Sequence, residues 1–474
     1  MYRTIFLFFL VCFQPLFSQP AALSDTANQY DYVIITVPEF KAACEPFKAH
    51  KESVRNFTVL IVDTTEIFQE FDSSLTKKDN IRNFISYAGS FWKNPKPKYF
   101  LLAGDLIKIP NYEFKSVPGY EFTDTAKSDY YYAVNKYSLD TTTIAFYVGR
   151  IAAGNEVELN NYFNKVIQYE SNSSLSSWNN NALVLSDDQY TSSGSDGDLW
   201  TMFSLDIGKK APSYINVKYF FEDDSSGYFG NKDSIVNYIN YTGIAALFFI
   251  GHGNNTQFTH EKYFTIDDVD LINNGNKYFI SFYFGSQHFS DTITRSITDK
   301  FLFSNDGAVG ALNYVGLHYA YAASQVFGES MKSIFSEAKF SLGEVWENSL
   351  YKESIFYRRS VNIFGDPSLK LKYDILADAK PPEIILPAQY SLNQNFPNPF
   401  NPSTTIKFSI PEDGIVEMKV YNILGNEVAS IANGFFKAGE HSINFNAADL
   451  SSGVYFYTIK SKNFTQTRKM MLLK

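Results

Sequence analysis

Cysteine is the scarcest informative residue in this sequence. Its 474 residues include two cysteines, Cys12 and Cys44. Cys12 falls inside a predicted export signal, so the mature chain keeps a single cysteine, which cannot form an internal disulfide. We therefore expect stability to come from packing. The absence of any cysteine after Cys44 also removes a thiol nucleophile from most of the chain.

Long runs of charge and long apolar runs are missing as well. The formal charge is 41 − 50 = −9, without extended stretches of one sign, which argues against a nucleic-acid partner. No segment after the export signal reaches the roughly 18 apolar residues that a membrane helix needs, so we expect no membrane span. The 45% of hydrophobic and 19% of charged residues are typical of globular proteins.

The first residues predict export. Arg3 supplies a positive start, residues 5–13 form an unbroken apolar run, and Ser18 offers a small side chain for cleavage. This pattern is typical of a signal peptide covering residues 1–18. We expect the mature protein to pass through the periplasm and to act outside the cell or at its surface.

The region from residue 30 to 371 alternates buried-strand and amphipathic patterns, which predicts an α/β fold. Several strands are apolar on both faces, which favours mostly parallel sheets flanked by helices. The predicted strands are 32–36, 58–62, 99–103, 144–148, 182–186, 216–221, 243–250, 278–284 and 307–313, and the predicted helices include 78–92, 156–169 and 322–335.

Changes in pattern divide the chain. We expect a first α/β subdomain at 19–150, a second at 151–373, and a linker at 374–391 within a proline-rich stretch. From 392 to 474 the predicted strands are short and alternating, at 405–410, 415–421, 441–446, 454–460 and 467–473. Their regular spacing predicts a small immunoglobulin-like β-sandwich.

Two strand ends carry the candidate chemistry. The apolar run 243–250 breaks into Gly251, His252 and Gly253, and the run 278–284 is followed by Gly285 and Ser286. Two strands joined by such a crossover should lie side by side and parallel, with their carboxyl ends at one crevice. Open α/β sheets place their active sites at such a crevice.

An ordered set of short motifs resembles the gingipain peptidase family, whose fold is similar to that of caspases. The set spans about 340 residues and consists of LLAGD (101–105) with Ile109 and Pro110, SDYYYA (128–133), VGR (148–150), KVIQYE (165–170), GHG (251–253), GA (307–308) and FGDPSL (364–369). The resemblance implies that His252 is the general base and that a cysteine should close the following strand. Phe284 stands at that nucleophile position, five residues before Phe289. Asp129 matches an acidic residue near the family's substrate pocket.

Each candidate also has a structural interpretation. His252 and Asp129 could serve only turns and backbone hydrogen bonds, and Ser286 could be a substitute nucleophile or simply a loop serine. His288 could bind a metal with His252, although no third ligand is evident. Asp105 and Asp366, beside glycines at strand ends, are better suited to structural hydrogen bonds, and Cys44 to helix packing.

The C-terminal block resembles the sorting domain of the type IX secretion system. The matching segments are NQNFPNPFNPSTTIKF (393–408), VYNILGNEV (420–428), LSSGVYF (450–456) and KMMLLK (469–474). We therefore expect the type IX machinery to be a partner through the residues after Leu392. A generic adhesion module is the alternative.

The two resemblances together imply a secreted homologue of cysteine peptidases. We expect a catalytically inactive pseudoenzyme that binds a peptide or protein ligand, because a phenyl ring cannot act as a nucleophile. The alternative is an active endopeptidase or other hydrolase that uses His252 with Ser286. No cofactor is required in either case, and the family resemblance implies that structural calcium is possible.

Overall fold

A computed structural model describes most of the chain. The described residues are 22–72, 76–115, 125–140, 142–188, 190–191, 194–195, 199–223, 226–285, 295–316, 318–336, 339–351, 353–373, 389–412, 414–436 and 439–474. The predicted signal peptide lies outside these ranges, as do most of the predicted linker, Ser286 and His288.

The body of the protein, up to residue 373, alternates strands with helices. Its strands are β1 (Tyr32–Thr36), β2 (Val59–Asp63), β3 (Tyr99–Ala103), β4 (Tyr112–Lys115), β5 (Thr125–Ser128), β6 (Tyr147–Ile151), β7 (Asn181–Ser186), β8 (Tyr190–Thr191), β9 (Gly194–Ser195), β10 (Asn216–Phe221), β11 (Ala246–Ile250), β12 (Gly253–Asn254), β13 (Gln257–Phe258), β14 (Phe264–Thr265), β15 (Phe279–Phe284), β16 (Ala308–Tyr314) and β17 (Val361–Gly365). Its α-helices are α1 (Glu45–Arg55), α2 (Thr64–Glu70), α3 (Lys77–Phe91), α4 (Tyr130–Ala133), α5 (Glu156–Ser171), α6 (Leu199–Gly208), α7 (Lys232–Asn237), α8 (Ile297–Phe303), α9 (Ala320–Ile334), α10 (Leu342–Leu350) and α11 (Ile355–Arg358). None of the helices in these ranges is both long and apolar enough to cross a membrane.

Ten strands of the body form one mainly parallel sheet, in the order β10-β7-β11-β15-β16-β17-β6-β3-β1-β2. The strands from β10 to β16 are parallel to one another, and so are those from β17 to β2. β16 and β17 are antiparallel, so the two sets run in opposite directions. The carboxyl ends of the two sets therefore lie at opposite edges of the sheet.

Nine of the ten strands of the large sheet were predicted, to within about three residues at their ends, whereas the short strands β4, β5, β8, β9 and β12–β14 outside it were not. β6 begins three residues later than predicted, because the amides of Ala145 and Phe146 donate to the carbonyl of Ala133 and the ladder starts with Tyr147 donating to Lys98. β17 was not predicted, and it returns from the C-terminal part of the body to pair with β6. The predicted subdomain boundary at 150/151 thus falls within β6, inside a continuous sheet.

Burial explains why these segments are strands. Every residue of β7, β11, β15 and β16 is buried, because helices cover both faces of the sheet. Facing aromatic rings support the pairing of neighbouring strands: the rings of Phe248 and Phe282 stack with centroids 4.2 Å apart. One apolar core runs through both sets of strands.

The C-terminal region folds around a core of its own. Its strands are β18 (Ser391–Leu392), β19 (Ser403–Ile410), β20 (Gly414–Tyr421), β21 (Glu427–Phe436), β22 (Gly439–Asn446), β23 (Gly453–Ser461) and β24 (Phe464–Leu472). They form two antiparallel sheets, β18-β19-β22 and β21-β20-β23-β24, which contribute side chains to the same core. Of these strands, β18 and β21 were not predicted. The likeness to an immunoglobulin domain stays a prediction.

A buried ion pair supports the middle of the body. The Nε of Arg150, in β6, donates to Asp129 Oδ2 at 2.6 Å, and its Nη2 donates to Asp129 Oδ1 at 2.8 Å. The Arg150 side chain is fully buried, and its Nη1 donates to the carbonyls of Gly104 and Ile109. The charges are therefore paired and bonded where water cannot replace either partner.

We predict that Asp129→Asn lowers the free energy of unfolding by about 3–5 kcal/mol, because it leaves the Arg150 charge buried without its partner. Thermal and urea unfolding of the purified protein measure the loss. Asp206→Asn is the matched control: it removes the same charge from an exposed pair with Lys209, and it should cost about 1 kcal/mol or less. Equal effects of the two substitutions would contradict a structural role for the Asp129–Arg150 pair.

Candidate functional site

Three neighbouring strands end at the same level. Ile250, the last residue of β11, is in register with Ser186 at the end of β7 and with Phe284 at the end of β15. The residues that follow these ends therefore emerge together at one rim of the sheet. The predicted parallel neighbourhood of the two apolar runs is confirmed.

At this rim His252 is held by a carboxylate. The Oδ2 of Asp187, directly after β7, lies 2.8 Å from His252 Nδ1 and accepts the His252 backbone N–H at 2.6 Å. Asp187 is almost completely buried, whereas 28% of the His252 side chain is exposed. A carboxylate bonded to Nδ1 fixes the ring and favours a proton on that nitrogen, so Nε2 is the nitrogen suited to accept a proton from a substrate or nucleophile.

Asp187 was not among the residues that the sequence motifs indicated. The sequence does place Asp187 directly after the predicted strand 182–186. Because the carboxyl ends of neighbouring parallel strands meet at one edge of a sheet, that position alone made Asp187 a possible site residue. What the sequence does not give is the strand order that makes β7 the neighbour of β11.

Both glycines that flank His252 are required by close packing. A Cβ on Gly251 would lie 2.5 Å from the Cβ of Asp187. A Cβ on Gly253 would lie 2.4 Å from the Tyr283 hydroxyl. The Gly-His-Gly motif thus allows the strand end to approach the carboxylate on one side and β15 on the other.

Aromatic rings enclose the imidazole. Trp200, in α6, meets the His252 ring edge-on with centroids 5.0 Å apart, and His260 stacks on the ring at 4.8 Å. Trp200 also contacts Phe284, whose ring centroid lies 6.3 Å away. Phe284 itself is 5% exposed and packs edge-on against Tyr314. The predicted base and the predicted nucleophile position therefore share an aromatic neighbour.

The other predicted site residues are located as follows. Ser286 and His288 lie outside the described residues, so their predicted roles stay predictions. Asp129 is enclosed in the ion pair with Arg150, which favours the structural of the two interpretations that the sequence left open. Asp105 accepts the backbone N–H groups of Ile107 and Lys108, in agreement with the structural role expected for it.

Cys44 does not belong to the rim. It lies in a 3₁₀ turn before α1, in the first half of the sequence, and is completely buried. Burial raises the pKa of its thiol to about 12, despite a hydrogen bond with Thr36 that lowers it. The thiol is therefore protonated at neutral pH and inert as a nucleophile.

An acidic group adjoins the His252–Asp187 pair. Asp187, Glu222 and Glu261 each offer a carboxylate oxygen, and these oxygens lie within 4.8 Å of one another. Glu222 follows β10, the edge neighbour of β7, and Glu261 lies in the loop after β13. Burial raises the pKa of Glu222 to about 8; a hydrogen bond from Thr259 opposes the rise, and the charges of Asp187 and Glu261 add to it. We call these three residues the acidic trio.

Comparison with known proteins identifies the family. Residues 25–372 match the model of peptidase family C25, which is well over half of the chain, and the chain belongs to this family. Residues 394–473 match the secretion system C-terminal sorting domain. That domain indicates a protein secreted or carried to the cell surface, with the type IX machinery as the implied partner.

Solved structures agree on the fold. The crystal structure of the Arg-specific cysteine proteinase gingipain R (RgpB) is 16% identical, with a TM-score of 0.57 over 94% of this chain and 98% of that one. The complex of the Porphyromonas gingivalis RgpB pro- and mature domains is also 16% identical, with a TM-score of 0.56 over 94% and 100% of the two chains. At such identities the likeness shows the fold alone. No curated protein matches the chain.

We predict that Gly251→Ala destabilises the body by about 1–3 kcal/mol, because the new methyl group overlaps Asp187 and must push the strand end away from it. Urea unfolding measures the loss. Gly328→Ala in α9 is the control: its Cβ would meet Lys210 at an ordinary 3.4 Å, and alanine favours a helix. A Gly251→Ala protein as stable as the control would contradict the close-packing explanation of the motif.

Proposed function

We propose that this protein is an exported gingipain-family homologue that has lost peptidase activity and acts by binding a peptide or protein ligand at the His252 rim. The observation that carries the proposal is Phe284 at the carboxyl end of β15, one strand from the end of β11 and packed against Trp200. By the family resemblance, this strand end is where the nucleophilic cysteine belongs.

The chemistry of a cysteine peptidase requires a thiolate within reach of its base. A phenyl ring has no lone pair with which to attack a carbonyl. The sequence has no cysteine after Cys44, and the Cys44 thiol is buried and protonated. A thiol mechanism at the rim therefore lacks its reagent.

Exposed aromatic side chains near the rim suit ligand binding. Tyr321, in α9, is 65% exposed and contacts Phe203 of α6, the helix that carries Trp200. Tyrosine and tryptophan give large contact areas with few rotatable bonds, and for that reason they are enriched in protein interfaces. The ligand that we propose is an extended peptide segment or a protein loop.

The alternative function has its own support. Asp187 and His252 keep the hydrogen bond that orients a general base, as in an active hydrolase. A hydroxyl group supplied by Ser286 would complete such a pair. Under this alternative the protein is a secreted endopeptidase or other hydrolase of the serine type.

Neither function needs a cofactor. The structural calcium implied by the family resemblance would require several oxygen ligands. In the described ranges, the acidic trio is the one group of three or more metal-ligating side chains that lie close enough to share an ion.

We predict no detectable cleavage after arginine or lysine by the purified, signal-free protein, and no effect of a thiol-alkylating reagent. Both results are expected because the rim lacks a nucleophile. Without one, only substrate binding and electrostatic stabilisation would remain of the catalytic machinery. Release of fluorophore from a broad peptide library, with equilibrium binding of the same peptides, measures both activities. Binding without turnover is the expected result.

The variants of this experiment separate the two functions. Turnover that His252→Ala abolishes would overturn the proposal, and loss of the same turnover in Ser286→Ala would establish the serine alternative. Phe284→Cys tests the rim itself: trace hydrolysis gained by this variant, and abolished by alkylation, would support Phe284 as the nucleophile position. Asp206→Asn, on an exposed helix face, serves as the control that should alter neither binding nor turnover.

We predict that deletion of residues 392–474 leaves a folded body in the periplasm of a host with type IX secretion. The reason is that the sorting domain has its own core and can be removed without opening the core of the body. Immunoblots of periplasm, surface and medium locate the protein. A reporter protein fused to residues 392–474 should be exported in the same host, and unchanged export of the truncated protein would contradict the sorting role.

A further inference from the structure

The strand β10 lies at one side of the large sheet and pairs there with β7 alone. Its last residue meets other backbone on the outer side: the Phe221 N–H donates to the carbonyl of Tyr228 at 2.9 Å, and the Gly230 N–H donates to the carbonyl of Phe221 at 3.0 Å. The backbone groups of successive strand residues point to alternate sides. The N–H and C=O groups of Val217 and Tyr219 therefore also point outward, and in the described ranges they have no partner there.

This open edge borders a groove between the body and the sorting domain. We call it the edge groove and define it by Val217, Lys218 and Tyr219 of β10, and by Lys407, Ser442 and Asn444 of β19 and β22. Its volume is about 1150 Å³, above the roughly 300–1,000 Å³ usual for small-molecule sites, so it has room for a peptide segment. The groove is separate from the His252 rim, because neither His252 nor Phe284 lines it.

The sorting domain contributes two edge strands to the same groove. Among the described strands, β21 pairs with β20 alone and β22 with β19 alone, so each keeps one outer edge. Both strands line the groove with exposed serine and asparagine side chains, namely Ser430, Asn433, Ser442 and Asn444. Open strand edges with small polar side chains are suited to accept an added strand.

The edge groove is positively charged, unlike the chain as a whole. The formal net charge of the chain is −9, yet no aspartate or glutamate is found among the described residues that line the groove. Lys218 belongs to the body and Lys407 to the sorting domain, and both are exposed. Neither lysine forms an ion pair within the part of the chain that the structure describes. The groove therefore complements a negatively charged occupant.

We propose that the edge groove binds an extended acidic segment of another protein, which adds a strand to β10. Main-chain hydrogen bonds with Val217 and Tyr219 supply the affinity, and Lys218 and Lys407 select carboxylates. A second copy of the chain fits the edge less well, because two β10 strands paired in antiparallel about their middle would bring their Lys218 side chains face to face. A nucleic acid fits less well too, because it has no peptide groups to pair with the strand. The proposal does not rest on the function proposed for the rim.

Fluorescence anisotropy of a labelled peptide, measured with the signal-free protein, tests the proposal. The probe is a short peptide in which glutamate and valine alternate, because alternate side chains of a strand share one face. We expect saturable binding that weakens as salt is added, and no binding of the matched lysine–valine peptide. The same glutamate–valine sequence with N-methylated peptide bonds keeps its charges but loses its N–H donors, and it should bind about tenfold more weakly or not at all.

Variants of the protein locate the site. Lys218→Glu and Lys407→Glu should each weaken binding of the glutamate–valine peptide by about tenfold or more, because the reversed charge repels its carboxylates. Lys93→Glu, at an exposed position after α3, is the matched control and should leave binding unchanged. Val217→Pro should abolish binding, because proline removes an outward N–H and keeps the ladder with β7. The two exposed lysine variants decide the test if Val217→Pro proves unstable.

The proposal is wrong if the glutamate–valine peptide does not bind, if N-methylation leaves its affinity unchanged, or if Lys218→Glu and Lys93→Glu bind it equally. Sedimentation that shows a dimer, without peptide binding, would place a second copy of the chain at β10 and would also overturn the proposal. Binding at the His252 rim is a separate measurement, because Lys218→Glu changes the groove and not the rim. Either proposal can therefore fail alone.

Discussion

The in-register parallel pairing of β7, β11 and β15 is the constraint on which the site depends. Because Ser186, Ile250 and Phe284 lie at one level, whatever follows each strand meets the others. A shift of one residue in either pairing would turn side chains to the opposite face of the sheet and separate Asp187 from His252. The pairing is held by continuous burial and by stacked rings such as Phe248 on Phe282.

Buried charges join the elements around the other set of strands. Lys51 in α1 is fully buried, and its Nζ lies 2.7 Å from Glu170 in α5 and 2.6 Å from Asp366 after β17. The Tyr32 hydroxyl in β1 donates to the same Asp366 at 2.8 Å. These contacts hold the end of β17, from the last part of the body, beside α1 and β1 from its beginning. Such polar networks are costly to break and specify one arrangement of the elements.

The rim combines a polar pair with an apolar strand end. Asp187 is hydrogen-bonded to the His252 ring, the flanking glycine allows their close approach, and the neighbouring strand end carries the ring of Phe284. The imidazole is therefore a polar group held in an aromatic surface. The acidic trio extends the same rim with negative charge, so the rim offers a ligand aromatic, imidazole and carboxylate groups within a small area.

The sequence by itself determined nine of the ten strands of the large sheet to within a few residues, the neighbourhood of the 243–250 and 278–284 runs, and the family. It could do so because continuous apolar runs and glycine-flanked ends are local signals. Strand order, however, depends on contacts between distant segments. Only the tertiary structure could therefore show that the strand direction reverses between β16 and β17 and that Asp187 is the partner of His252. The same holds for the burial of Asp129 against Arg150 and for the approach of Glu222 and Glu261 to Asp187.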